Sequence, residues 1–135
     1  MPEAAKTRPQ FRNINVTQLA KYRLPLAGIV SILHRVSGAL MFLLLPFILT
    51  LLDNSLTSED SFNYLNGLTQ NCLVKLVILA LSWAYLHHFC AGIRHLLMDL
   101  HMGLDKHTAQ KSAVGVFAVS IPLAAAVAAK LFGVF

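Results

Sequence analysis

Charge is scarce in this sequence. Asp, Glu, Lys and Arg make up 13% of its 135 residues, about half the share of an ordinary soluble domain. Hydrophobic residues reach 56%. A water-soluble chain this short would have to expose large adhesive patches, so a free-standing soluble domain is excluded and the bilayer is the natural solvent. Cysteine is scarce too. Cys72 and Cys90 form no C-x-x-C pair, which leaves no thiolate metal site and reads both as small buried hydrophobes. No small-residue cleavage site follows the first apolar run, so no signal peptide is expected. There is no internal repeat. The net charge of +5 sits mostly in the first 35 residues and in one later segment. It is not interleaved with aromatics as in a nucleic-acid surface, so it reads as membrane topology and headgroup contact.

The apolar runs divide the chain into an all-α integral membrane fold with three transmembrane helices. Residues 1–23 form a polar arm carrying Lys6, Arg8, Arg12, Lys21 and Arg23. Residues 24–52 are the first span, longer than the roughly 20 residues a bilayer needs, so this helix tilts or projects. Residues 53–71 are a polar loop, with a helix start at Thr57-Ser58-Glu59-Asp60 and a short interfacial helix near Phe62 to Leu68. Residues 72–98 are the second span, 99–111 a loop and 112–135 the third span, with Pro122 as its expected kink. The arm and the second loop carry Lys and Arg, whereas 53–71 carries neither. The positive-inside rule then places the N-terminus and 99–111 in the cytoplasm, and 53–71 and the C-terminus in the periplasm. An odd span count without a repeated broken helix argues against a channel or transporter, and for a chain that needs partners.

All six histidines fall on the cytoplasmic side of this topology or within its inner half. On the second span His88, Gly92, His95 and Asp99 stand at i, i+4, i+7 and i+11 and share one face. His88 lies roughly 16 Å along the helix from Asp99, near mid-membrane, where a polar ring needs a partner. A neutral imidazole there is a candidate iron ligand. Gly92 leaves room for a flat macrocycle, and Arg94 and His95 lie nearer the surface, where haem propionates would point. Two alternatives stay open at this point: a hydrogen bond to a neighbouring helix, and His87 as the ligand, about 100° away on the face of Ala91, Arg94 and Met98. On the first span Ser31, Arg35 and Gly38 stand at i, i+4 and i+7, with His34 beside Arg35. An intramembrane Arg costs on the order of 2.5–3.5 kcal/mol. Snorkelling, an ion pair with Asp99, haem propionates or a polar substrate would offset that. A Ser hydroxyl one turn from an Arg suits a quinone carbonyl, since one donates and the other stabilises a developing oxyanion.

The stretch Ser31-Ile-Leu-His-Arg-Val-Ser-Gly38 resembles the S-x-x-H-R-x-[ST]-G signature of the cytochrome b membrane-anchor subunit of succinate dehydrogenase. His88-Phe-Cys-Ala-Gly-Ile-Arg-His-Leu-Leu-Met-Asp99 resembles the same family's H-x-x-x-G-x-R-H-x-x-x-D signature, and Arg8-Pro9 its N-terminal Arg-Pro. The S-P-H segment of many relatives is missing, so the likeness is to the bacterial branch and implies the bacterial inner membrane. The resemblance implies a heterodimeric anchor bundle shared with a smaller three-helix cytochrome b subunit. A haem b sits between the two with one axial His from each, here His88 rather than His87. His34, Arg35 and His95 become propionate or second-shell residues. Ser31 and Arg35 line a ubiquinone pocket completed by the iron–sulfur subunit and the smaller anchor. FAD and the iron–sulfur clusters belong to the flavoprotein and iron–sulfur partners, which pass electrons from succinate to quinone. Asp99 and His95 are candidates for a proton path. The chain is thus expected to be non-catalytic alone but part of succinate dehydrogenase. Its rivals are a fumarate reductase-type anchor using menaquinone and a purely structural bundle partner.

Overall fold

The computed structural model describes residues 15–134. Lys6, Arg12 and the Arg8-Pro9 pair lie outside the described residues. Regular structure among the described residues is helical: α1 (Val16–Lys21), α2 (Leu26–Thr57), α3 (Glu59–Leu68), α4 (Cys72–Asp99) and α5 (Lys106–Leu131). Of these, α2, α4 and α5 are long and apolar enough to cross a membrane. The 32 residues of α2 span about 48 Å, against about 30 Å of hydrocarbon.

The spans start and stop differently from the sequence-based expectation, and the reasons are local. The polar run after Leu52 does not end α2. Ser55 Oγ donates to the Leu52 carbonyl at 2.7 Å and Thr57 Oγ1 to the Asp53 carbonyl at 2.8 Å, so these side chains close on their own helix. The short helix α3 begins at Glu59, before Phe62. Ser58 caps it by accepting from the Ser61 N–H at 3.1 Å, and Glu59 and Asp60 lie at the positive end of its dipole. Asn71 caps α4 by accepting from Leu73 N–H at 2.8 Å. Asp105 starts α5 at Lys106 instead of residue 112, accepting from the N–H groups of His107 (3.1 Å) and Thr108 (2.9 Å). Between them α4 closes on a Schellman turn: Met102 N–H reaches the Leu97 carbonyl at 3.0 Å and His101 N–H the Met98 carbonyl at 2.9 Å. His101 takes the left-handed position, φ 61°. Helix α5 continues through Pro122, and α2 through Pro46, where Thr50 Oγ1 donates to the Pro46 carbonyl at 2.9 Å.

The closest packing is α4 on α5, with α2 crossing α4 and touching α5. Small residues suit that seam: Ala84 and Ala91 are buried on α4, and Ala113, Val116, Ser120 and Ala124 on α5, which lets backbones approach closely. Val30 of α2, wholly buried, closes the cluster with Ala91, Ala113 and Val116. Large apolar side chains such as Phe42, Leu43, Phe47 and Phe89 point outward, which suits a protein dissolved in hydrocarbon. Among the described residues, four of the ten buried ones are polar: Ser37, His87, Arg94 and Ser120. Polar groups inside a membrane bundle mark where function is to be sought.

Candidate functional site

Where α2 crosses α4, three imidazoles stand in a file. The His34 ring of α2 stacks on His88 of α4 with centroids 4.1 Å apart and planes 13° apart. On its other flank lies His95, at 4.8 Å and 41°. His34 and His88 pack face to face, whereas His95 is tilted against His34. Among the described residues no group of three or more His, Cys, Asp or Glu is placed to hold a metal ion by itself.

His88 is the most tightly seated of the three. Its Nδ1 lies 3.0 Å from the His34 carbonyl oxygen and 3.1 Å from Ser37 Oγ. Ser37 Oγ itself donates to that carbonyl at 3.0 Å. A carbonyl only accepts, so Nδ1 carries a proton, and in the neutral ring the lone pair falls to Nε2. Nε2 has no hydrogen bond and is not among the sealed, partnerless nitrogens. The ring rests directly on Gly38: a Cβ there would come within 2.7 Å of His88 Cε1 and 3.3 Å of Nδ1. Gly92, by contrast, lies under His34, where a Cβ would meet Nε2 at an ordinary 3.5 Å.

The two adjacent histidines of α4 have different surroundings. His87 is 1% exposed and sits between Trp83 and Phe117, with centroids at 5.4 and 5.3 Å. Neither of its ring nitrogens has a hydrogen-bond partner. It is sealed inside this chain, whereas His88 keeps a nitrogen at the surface.

Arg94 departs from the expectation that it lies with the propionates. It turns away from the His88 face into the α4–α5 seam, 6% exposed. There Nε donates to Ser112 Oγ at 3.0 Å and Nη2 to the Ala109 carbonyl at 3.3 Å. Nothing in the spacing of α4 alone gave its partners, which belong to the next helix. Arg35 and Asp99 are both exposed on this chain, so the burial that would have forced an ion pair between them is absent. Ser31 is half-buried. Ser37, Ser82 and Ser112 return their hydroxyls to carbonyls of their own helices, but Ser31 makes no such bond among the described residues. His95 is half-buried with Nε2 sealed and partnerless, so any outside contact falls to its Nδ1.

These features define an integral membrane protein of three spanning helices with a seated imidazole at the crossing of the first two. The chain belongs to the succinate dehydrogenase/fumarate reductase transmembrane subunit family, which it matches over residues 6–127. It is 39% identical over 110 residues to the succinate dehydrogenase cytochrome b556 subunit of Coxiella burnetii, covering 81% of this chain and 87% of that one. The subunits of that name from Paracoccus denitrificans and Rickettsia felis are 34% and 33% identical, over 78% and 74% of this chain and 82% and 79% of theirs. The chain is therefore a multi-pass membrane subunit of a respiratory enzyme complex.

Proposed function

We propose that this chain is the larger membrane anchor of a bacterial succinate:ubiquinone oxidoreductase, that His88 is an axial ligand of haem b, and that Ser31 and Arg35 help bind ubiquinone. The observation that carries the reading is the state of the His88 imidazole. Iron ligation asks for a neutral ring with its second nitrogen anchored to an acceptor, which fixes the tautomer and raises the basicity of the other nitrogen. The His34 carbonyl and Ser37 provide that anchor, and the Nε2 lone pair is left open. His87 meets neither condition. One imidazole is half of a bis-histidine set, so the other ligand comes from the smaller anchor subunit. The relatives' names, with "cytochrome b556", support a haem in this family.

When bound, haem b supplies a one-electron redox centre in the membrane. The chain's own contribution is placement and charge. His34 stacks on the seated ring with His95 beyond it, and Arg35 offers a cation to propionates or to quinone. The free Ser31 hydroxyl donates to a quinone carbonyl while Arg35, one turn on, stabilises the negative charge that builds on the oxygen during reduction. Asp99 and His95, four residues apart on α4, form the proton route toward that oxygen. The flavoprotein and iron–sulfur subunits carry FAD and the clusters that deliver electrons.

The test is purification through a tag on this chain in mild detergent, with reduced-minus-oxidised spectra and succinate-driven ubiquinone reduction. His88→Ala should remove the b-type band with the subunits still assembled, whereas His87→Ala should keep it. Ser31→Ala and Arg35→Ala should each slow quinone reduction by about a hundredfold or more, the scale of losing one oxyanion donor. A band that survives His88→Ala would reassign the ligand. A complex that carries menaquinone and runs preferentially from quinol to fumarate would favour the family's other direction.

A further inference from the structure

Arg94 is a cation inside a membrane bundle, with no ion-pair partner among the described residues. A guanidinium has five N–H donors, and this one has two neutral acceptors, Ser112 Oγ and the Ala109 carbonyl. A desolvated charge held only by neutral groups remains costly. The nearest part of the surface is a groove of about 720 Å³ between α4 and α5, and Arg94 and Ser112 are in its wall. Its other walls are apolar, with Phe89, Ile93, Val119 and Leu123 among them, and none of its lining residues is Asp or Glu. Asp99 lies on the His88 face of α4, about 140° around the helix from Arg94, and does not supply the missing charge.

The dimensions and the charge select an occupant. From Arg94 to Tyr85, at the groove's far end, is nine residues, about 14 Å. That is close to one leaflet's share of a hydrocarbon core about 30 Å thick. Arg94 and Ser112 stand partway along the groove, with Thr108, Leu97, Met98 and Met102 on their loop side, and the α4 wall from Ile93 to Tyr85 is apolar toward mid-membrane. A phosphate at Arg94 with an acyl chain running toward mid-membrane fits that arrangement. Gly115 lies in the groove wall, and a Cβ there would meet nothing within 4 Å, so the space beside it is open in this chain.

We propose that the α4–α5 groove binds a glycerophospholipid of the leaflet facing the α4–α5 loop, its phosphate charge-paired with Arg94 and one acyl chain along Phe89, Ile93 and Val119. The site is separate from the haem and quinone residues and does not depend on their assignment. Two variants attack it from different ends. Arg94→Gln removes the charge. Gly115→Leu fills the groove and leaves Arg94 in place, which guards against a simple folding defect at Arg94.

The experiment is native mass spectrometry of the complex purified through a tag on this chain, delipidated, then offered phosphatidylglycerol, a diacylglycerol without phosphate, or inorganic phosphate alone. The expected result is retention of phosphatidylglycerol only, reduced about tenfold in both variants, the scale of one charge-assisted contact. Equal retention by wild type and both variants overturns the proposal. So does displacement of the lipid by inorganic phosphate, which would make Arg94 a bare anion site. Loss of another subunit from the Gly115→Leu complex would make the groove a protein interface and would overturn it as well.

Discussion

At Gly38 a single methyl group decides whether His88 keeps its place. An added Cβ would sit 2.7 Å from Cε1 of a ring already tied to the His34 carbonyl and Ser37, so the ring or α2 must move. Gly38→Ala should cost about 1–3 kcal/mol, as overpacking does, and lower the haem content of the purified complex, read from its difference spectrum. Gly92→Ala is the control. Its Cβ would meet His34 at an ordinary 3.5 Å, and Ala is the better helix former by up to about 1 kcal/mol, so haem content should hold. If both variants lose haem alike, Gly38 is not a specific seat. Spacing on one helix at a time marked His34, Arg35, His88, His95 and Asp99 as candidates and left His87 open beside His88. It did not show that Gly38 and Ser37 of α2 hold His88, since that contact joins positions about fifty residues apart. The placement of Arg94 was hidden for the same reason: its partners Ser112 and Ala109 are on α5.

Among the helices, existence was legible and boundaries were not. Three apolar runs announce three spans, but caps and self-bonding side chains set where they end. Asp105 shows the consequence. Its carboxylate is held below the usual range, first by the Thr108 hydroxyl and then by the Thr108 and His107 N–H groups. A carboxyl depressed in the folded state adds stability that is present above its unfolded value, about 3.9, and is lost as pH falls through the lower folded value. Hydrogen exchange at His107 and Thr108 should therefore speed up only in acid, below about pH 4. Asp105→Ala should speed it at neutral pH as well. Asp105→Asn keeps an acceptor and should remove the acid dependence. Equal exchange in all three proteins would show that the cap does not hold this helix start. At the other end of the same loop His101 occupies a left-handed position, φ 61°, that disfavours a side chain. His101→Gly should be stabilising by on the order of 1 kcal/mol at most, the relief of that strain less the entropy glycine adds to the unfolded chain, measured as a rise in the melting temperature of the complex.

For the whole molecule the open quantity is which way it faces. Of eleven Lys and Arg residues, seven (Lys6, Arg8, Arg12, Lys21, Arg23, Lys106 and Lys111) fall at the arm and α4–α5 loop end, and two, Lys75 and Lys130, at the other. The opposite end also holds Asp53, Glu59 and Asp60. The positive-inside rule counts Lys and Arg near the spans, so it predicts the arm and the α4–α5 loop in the cytoplasm. The two cysteines make this measurable without adding a label site. Cys72 is exposed at the start of α4, on the acidic side, and Cys90 is half-buried, eighteen residues or about 27 Å further along the helix. A membrane-impermeant maleimide should modify Cys72 in right-side-out spheroplasts and spare it in sealed inverted vesicles, and Cys72→Ser should abolish the signal. The opposite pattern would turn the molecule over. Then His34, Arg35 and Asp99 would open away from the compartment in which succinate is oxidised, and electron delivery from soluble partners to a quinone at Ser31 would need a path across most of the membrane. Labelling from outside leaves that short path intact: under the proposed function, the Ser31–Arg35 pair and the Asp99 carboxylate would then face the compartment of the soluble subunits, and electrons and protons would reach one quinone oxygen from the same side.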